Sequence, residues 1–235
     1  MSEANERRRF STRREMLSLL PQGAVVAEIG VFEGHFSEEI LEACAPKELV
    51  LIDIWAPGPM TSGDVDGNNI REYVGERLER ATRDRMGHRP EVRIVKSPSS
   101  ILATYPADSF DAVYIDGDHS YNGAMLDLIN SARVVKHGGW IMGHDYDHNP
   151  EKSATRHDFG VKEAVDVFCR AYGQKIAAVG MDGCVSFAIH LRKGGAGSDF
   201  RFRWAATRLR ARGICRRILK GLSRRARQMV GMSPA

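Results

Sequence analysis

Cysteine is scarce in this chain, and long apolar runs are missing from it. The 235 residues include four cysteines, Cys44, Cys169, Cys184 and Cys215, and none of them forms a Cys-x-x-Cys pair. This scatter argues against a disulfide framework and against a zinc ribbon. The chain also lacks any stretch of about 18 consecutive apolar residues, the usual minimum for crossing a bilayer. Because the charged opening has no apolar signal segment either, we expect a soluble, cytoplasmic protein.

Acidic residues are absent from residues 201–235, which hold eleven of the 34 Arg and Lys residues. The net charge of the whole chain is +4, so the remainder carries about −7. A Gly-Gly-Ala-Gly-Ser linker precedes the basic segment and predicts a domain over residues 1–192 with an extension over residues 193–235. The extension has an apolar and an arginine-rich helical face. It could bind an anionic membrane surface, an acidic partner, a second subunit or, less favoured, nucleic acid, or it could be a solvated, partly disordered extension, and the sequence does not choose among these.

Short apolar runs alternate with helical patterns along the rest of the chain. The predicted strands cover residues 24–29, 49–54, 92–95, 112–115, 140–142, 175–179 and 184–191. The predicted helices include residues 36–45, 70–86 and 121–135. This alternation predicts an α/β fold with a Rossmann-like, doubly wound and mostly parallel sheet of seven strands, of which the last two form an antiparallel hairpin. The polar stretches 56–69 and 147–159 interrupt the array and are typical of lids or binding loops.

A glycine-containing turn joins the first predicted strand to the first predicted helix. It runs from Glu28 to Gly34, and glycines here allow a ligand to approach the backbone at a helix N-terminus. Glycine also marks tight turns that bind nothing. Asp53 ends the next strand, about twenty residues later, where an acidic side chain can accept hydrogen bonds from a ribose. Trp55 follows it and either stacks on a ligand or packs in the core.

Acidic and imidazole groups follow two further strands, over residues 110–121 and 134–146. Their side chains are expected to converge at the carboxyl end of the sheet, where open α/β sheets bind ligands; the residues are Asp116, Asp118, His119, His144 and Asp145. Carboxylates at the ends of neighbouring strands suit a hard divalent cation. The alternative is that some of these residues cap a helix, as Asp118 or Ser120 could do for the helix beginning near Tyr121.

The turn at residues 28–34 resembles the first motif of the AdoMet-dependent methyltransferases, which reads E/D-x-G-x-x-x-G. The resemblance extends over most of residues 20–192. It implies that Glu28, Gly30 and Gly34 border the methionine part of AdoMet. It also implies that Asp53 binds the ribose and that Ser97, after the third strand, lies on the adenine side.

Three further segments narrow this resemblance, and they read IDGDHSY at 115–121, GHDY at 143–146 and GVKEAVDVF at 160–168. They resemble the macrolide-sugar and aminocoumarin-sugar O-methyltransferases. That family implies a metal site of Asp116, His144 and Asp145 for Mg²⁺ or Mn²⁺, with Asp116 also bordering the cofactor. It implies Asp118 as the general base, with His119 in the same catalytic group. Several relatives have two adjacent carboxylates where this chain has His144 and Asp145, so either the metal is softer than Mg²⁺, or His144 lies outside the ligand set or is itself the base.

The resemblance therefore predicts methylation of a hydroxyl on a saccharide or glycosylated metabolite by a homo-oligomeric enzyme. A phenolic or catechol O-methyltransferase is the nearest alternative, because it uses a metal at the same strand ends. The basic extension speaks for an RNA methyltransferase, but the chain has no Asn/Asp-Pro-Pro-aromatic motif of amino-directed enzymes. A non-catalytic AdoMet-binding scaffold is a further alternative, against which the acidic cluster argues.

Overall fold

The computed structural model describes residues 7–56, 74–148 and 159–194. The basic extension beyond residue 194, most of the loop predicted at 56–69 and residues 149–158 of the second loop lie outside these residues. The strands are β1 (Arg8–Phe10), β2 (Val25–Ile29), β3 (Glu48–Asp53), β4 (Val92–Lys96), β5 (Phe110–Ile115), β6 (Val135–His148), β7 (Ile176–Asp182) and β8 (Cys184–His190). The helices are α1 (Arg13–Met16), α2 (His35–Cys44), α3 (Val74–Met86), α4 (Tyr121–Val134) and α5 (Val161–Tyr172), with 3₁₀ turns at Leu17–Leu19 and Ser99–Thr104.

The strands form one sheet in the order β1-β7-β8-β6-β5-β2-β3-β4. All neighbours pair in parallel except β8, which runs antiparallel to both β6 and β7. This confirms the predicted α/β, mostly parallel sheet with an antiparallel C-terminal hairpin. β1 is an eighth strand that pairs with β7. Its three residues, two of them arginines, are too few to show a strand period, and charge is usual on an edge strand.

The central strands are buried on both faces, as parallel sheets between helices are. Leu49, Val50, Leu51 and Ile52 of β3 are all inaccessible to solvent. α5 shows the matching helical period, with buried residues at Val161, Ala164, Val165, Phe168 and Tyr172. The described residues contain no helix long and apolar enough to span a membrane.

The sheet order places a topological switch point between β2 and β5. From β2 the chain moves outward to β3 and β4, and it then returns to the other side of β2 to form β5. The carboxyl ends of β2, β3, β5 and β6 therefore meet at one edge, where open α/β sheets bind ligands. Most of the predicted site residues follow or end these strands or β4; the others are Glu28 within β2, Gly34 at the start of α2, and His144 and Asp145 in the last part of β6.

Candidate active site

The turn after β2 is packed directly against the end of β5. Gly30 has φ +80°, and a Cβ atom there would overlap the carbonyl group of Asp116 and stand 2.8 Å from the backbone nitrogen of Gly117. The Asp116 N–H donates to the Ile29 carbonyl at 2.7 Å. Gly34, with φ +81°, then begins α2. Only glycine satisfies both the left-handed backbone and the close approach at position 30.

Asp53 organises this turn from the end of β3. Its Oδ2 accepts hydrogen bonds from the N–H groups of Val31 (2.8 Å) and Phe32 (3.1 Å), and its Oδ1 accepts one from Trp55 (2.8 Å). The Trp55 indole is buried and donates to the Phe32 carbonyl at 3.0 Å, so this tryptophan packs in the core. The Ser97 N–H donates to the Asp53 carbonyl at 2.9 Å and brings the end of β4 to the same place. Asp53 therefore holds the shape of the glycine turn, a role that the sequence does not indicate.

Glu28 lies beneath the turn and is only 1% exposed. The Ser37 hydroxyl donates to its Oε2 at 2.5 Å. Burial raises the pKa of Glu28 to about 8, because the charged form loses its hydration. Glu28 is thus mostly protonated at neutral pH, and its predicted contact with the cofactor stays a prediction.

A bulge in β6 turns two neighbouring side chains toward each other. The register with β8 shifts between Gly143 and Asp147, and Asp145 adopts φ +54°. Successive residues of a regular strand point to opposite faces of the sheet. Within this bulge the Nδ1 of His144 instead lies 3.2 Å from the Oδ2 of Asp145. The irregular backbone therefore creates an adjacent imidazole and carboxylate at the strand end.

The structure brings together four of the five residues expected to converge. His119 Nε2 lies 3.0 Å from Asp145 Oδ2 and 3.5 Å from Asp116 Oδ1. His144 Nδ1 lies 3.9 Å from the same oxygen of Asp116. Residues Asp116, His119, His144 and Asp145 are called the carboxylate–imidazole cluster below.

Hydrogen bonds and charges within the carboxylate–imidazole cluster shift the pKa values of its members. Hydrogen bonds to Asp116 and Asp145 raise the pKa of His119 to about 10. Burial opposes ionisation of Asp145, but hydrogen bonds from His119 and His144 outweigh it and hold the pKa of Asp145 below its usual range. Burial lowers the pKa of His144, whereas its hydrogen bond to Asp145 raises it. The net pKa of His144 lies above its usual value. The carboxylates are therefore compensated by imidazolium in the structure, as closely spaced like charges require.

Asp118, the fifth residue, is held by the turn that begins α4. Its Oδ1 accepts a hydrogen bond from the Ser120 N–H at 2.8 Å, and a Cβ atom on Gly123 would overlap its carboxyl group. The Ser120 hydroxyl accepts from the Gly123 N–H at 3.1 Å and caps the helix. Asp118 is nevertheless exposed, so an acceptor can approach it. Ser120 rather than Asp118 therefore caps the helix, and the role of Asp118 as a base stays a prediction.

Arg13 is a site residue that sequence reasoning missed. It comes from α1, and its Nη1 lies 3.4 Å from Asp116 Oδ2. Its guanidinium also lies over the Phe36 ring, 4.5 Å from the centroid. The backbone of Arg13 is packed on β7, where a Cβ atom on Gly180 would stand 3.0 Å from the Arg13 Cα. The sequence carries no signal for this contact, because 103 residues separate the two ion-pair partners.

Among the residues that the structure describes, two groups of side chains have ligand atoms close enough to hold a metal ion. Asp116, His119 and Asp145 form one group, and His144, Asp145 and Cys184 form the other, with all ligand atoms of a group within 4.8 Å of one another. The predicted ligands Asp116, His144 and Asp145 are thus divided between two groups that share Asp145. Oxygen, nitrogen and sulfur donors of these kinds fit a divalent metal.

A family model described as a methyltransferase domain matches residues 27–146, which is 120 of the 235 residues. The chain belongs to this methyltransferase-domain family. The matched segment begins in β2 and ends at the β6 bulge, so it contains the glycine turn, Asp53 and the whole cluster. The match supports the predicted AdoMet-dependent methyltransferase at the level of the class. No curated protein is significantly similar to the chain in sequence.

Several solved structures of methyltransferase folds are similar to this domain. Fibrillarin from Aeropyrum pernix, in complex with S-adenosyl-L-methionine, has a TM-score of 0.52 at 12% identity, over 72% of this chain and 67% of that one. An O-methyltransferase family protein from Burkholderia thailandensis has a TM-score of 0.53 at 13% identity, over 77% of this chain and 55% of that one. The fibrillarin pre-rRNA processing protein from Methanococcus jannaschii has a TM-score of 0.51 at 16% identity, over 73% and 68%. At these identities the likeness establishes the Rossmann-like methyltransferase fold alone.

Proposed function

We propose that the chain is a metal-dependent O-methyltransferase that transfers a methyl group from AdoMet to a hydroxyl of a saccharide or glycosylated metabolite. The observation that carries the proposal is the carboxylate–imidazole cluster beside the glycine turn. Such a cluster is suited to acceptor deprotonation next to a bound methyl donor. The saccharide rests on the resemblance of the segments at 115–121, 143–146 and 160–168.

The chain's residues fit AdoMet at the switch point. Because Gly30 has no side chain, the turn after β2 closes directly on the Asp116 backbone and lies at the switch point between β2 and β5. Each carboxylate oxygen has two lone pairs, and the turn occupies both on Oδ2 and one on Oδ1 of Asp53, so Oδ1 can still accept from one ribose hydroxyl. The A. pernix fibrillarin neighbour, with S-adenosyl-L-methionine bound, supports the same cofactor here.

The cluster also fits a divalent cation. Asp116 and Asp145 would hold it with help from His144 or His119, whose ligand atoms lie in the groups described above. When bound, the cation lowers the pKa of a coordinated hydroxyl and neutralises developing charge. In the structure His119 lies between the carboxylates of Asp116 and Asp145. A bound cation would compensate the negative charge of the same two carboxylates.

In this proposal the protein positions AdoMet and the acceptor and removes one proton from the acceptor hydroxyl. The acceptor oxygen attacks the methyl carbon in line, the bond from carbon to sulfur breaks, and S-adenosylhomocysteine leaves. The hydroxyl proton passes to a base, for which Asp118 and His144 are the two candidates. Asp118 is exposed at the start of α4, whereas His144 is partly buried beside Asp145 and can accept the proton only as neutral imidazole. No covalent intermediate with the protein is required.

The test is transfer of labelled methyl from AdoMet to sugars, phenols and RNA, with and without EDTA. Chelation should abolish turnover, Mg²⁺ or Mn²⁺ should restore it, and AdoMet binding by calorimetry should change little. Asp116→Asn and Asp145→Asn should each lose the metal response. Asparagine tolerates the left-handed backbone of position 145, so that variant tests the charge. Asp147→Asn, on the same strand but paired with Lys162 at 3.1 Å, is the matched control.

The same assay identifies the base. If Asp118 is the base, Asp118→Asn should still bind the metal but turn over about 10²–10⁴-fold more slowly. An active Asp118→Asn together with an inactive His144→Ala would assign the base to His144. Full activity in excess EDTA, with no metal in the purified protein, would reject the metal step. Absence of AdoMet binding would reject the proposed function as a whole, and labelling of only phenols or RNA would reject the saccharide.

A further inference from the structure

We propose that His144, Asp145 and Cys184 form a sulfur-containing metal site that selects a zinc-like divalent cation over Mg²⁺. The ligand atoms of these three side chains lie within 4.8 Å of one another. The inference rests on the proposed function and refines it, because it names a softer class of cation than the Mg²⁺ that the family resemblance implies, held at the edge of the carboxylate–imidazole cluster. It rests on residues of this chain that lie partly outside the matched methyltransferase-domain segment, which ends at residue 146.

The fold explains how a cysteine reaches the cluster. β8 begins at Cys184, directly after Gly183 with φ +94° in the hairpin turn. Because β8 runs antiparallel to β6, Cys184 pairs with His148 at the carboxyl end of β6. The first residue of β8 therefore lies at the ligand-binding edge of the sheet rather than at the opposite edge.

The β6 bulge supplies the other two ligands. Its left-handed Asp145 brings the imidazole of His144 and the carboxylate of Asp145 to 3.2 Å from each other, next to the segment of β6 that pairs with Val185 and Cys184. Asp145 is buried, whereas His144 and Cys184 are partly buried, so the three donors are shielded from bulk water without being closed off. Partial burial strengthens binding of a cation to charged ligands and still leaves open positions for an exogenous oxygen ligand.

The donor set determines the cation. Mg²⁺ prefers an octahedron of oxygen ligands, whereas sulfur, imidazole and carboxylate together suit Zn²⁺ and its neighbours in the first transition row. Asp145 also belongs to the group with Asp116 and His119, so a cation on the sulfur side would share a ligand with the cluster. The site would therefore place a Lewis acid beside the proposed acceptor position.

Cobalt(II) is the probe, because a Co²⁺–thiolate bond has a near-ultraviolet charge-transfer band that oxygen and nitrogen ligands do not produce. The metal-stripped, full-length chain is titrated with Co²⁺, and Zn²⁺ and Mg²⁺ are then added as competitors. We expect the thiolate band in the wild type, its loss on adding Zn²⁺ and its persistence in excess Mg²⁺. Cys184→Ser should lack the band and bind Co²⁺ about tenfold or more weakly.

Cys169→Ser is the matched control. Cys169 lies on α5, and burial raises the pKa of its thiol to about 11. This variant should keep the band and the affinity of the wild type. Alkylation of wild-type Cys184, located by peptide mass, should also be slowed by Zn²⁺, and this measurement holds even if Cys184→Ser does not fold.

Cobalt binding without the band, a band that persists in Cys184→Ser, or alkylation of Cys184 unaffected by Zn²⁺ would overturn the inference. None of these readouts requires methyl transfer, so failure of the proposed function is recognised separately. A thiolate band without turnover would support the metal site and contradict the proposed methyl transfer. Turnover with Mg²⁺ and no thiolate band would support the proposed methyltransferase and contradict the sulfur ligand.

Discussion

Replacing Gly30 with alanine should destabilise the protein far more than the same change at Gly23. Both glycines have a left-handed backbone, with φ +80° and +72°. A Cβ atom on Gly23 would meet nothing within 4 Å, whereas one on Gly30 would overlap the Asp116 carbonyl and stand 2.8 Å from the Gly117 nitrogen. These are backbone atoms and cannot rotate away, so β2 and β5 would have to move apart. The pair separates the cost of the turn from the cost of the close approach.

The magnitude follows from these two contributions. A left-handed alanine costs about 1–2 kcal/mol, and the less flexible unfolded chain offsets about 0.4–1 kcal/mol. Gly23→Ala should therefore lower the free energy of unfolding by about 1 kcal/mol. Overpacking against a well-packed neighbour adds about 1–3 kcal/mol or more, so Gly30→Ala should lose at least about 1 kcal/mol beyond Gly23→Ala.

Urea unfolding followed by circular dichroism measures both values, with the slope of each transition checking that the two-state description holds. Calorimetry with AdoMet should in addition show weaker binding to Gly30→Ala alone, because the displaced turn carries Val31 and Phe32 away from Asp53. Equal losses of stability in the two variants, within about 0.5 kcal/mol, would refute the close packing of this turn on β5.

Two further predictions concern the carboxylates around the turn. Asp53→Ala should weaken AdoMet binding by about 1–3 kcal/mol and also lower stability, because the N–H groups of Val31 and Trp55 lose their acceptor; unchanged affinity and stability would contradict both roles of Asp53. Glu28→Gln should remove a decline in stability as the pH rises from 4.5 to about 8, since folded Glu28 keeps its proton in that range and the unfolded chain does not. Urea unfolding across this range tests it, and identical pH profiles for wild type and variant would show that Glu28 is already ionised.

The strand and helix pattern could be read from sequence because it depends on local periods. The predicted strands and helices that lie in the described residues are all present, with the ends of most displaced by one or two residues. β6 is the exception, since it runs from Val135 to His148 where only residues 140–142 were predicted. A Gly-Gly pair such as Gly138-Gly139 is locally typical of a turn, whereas the pairing with β5 and β8 extends the strand on both sides of the predicted segment. Long-range pairing thus overrode the local signal.

The sequence by itself determined the fold class, the glycine turn and the acidic strand ends, because a buried strand, a left-handed glycine and a residue after a strand each leave a local mark. Tertiary structure alone decided which of those groups meet. Asp145 adopts the left-handed αL conformation although it is not a glycine, so the residue type does not mark this position in the sequence. This conformation nevertheless places His144 and Asp145 together. Arg13 and Cys184 reach the same edge through contacts with residues far away in the chain. Such encounters depend on strand order and register, which no local pattern of residues encodes.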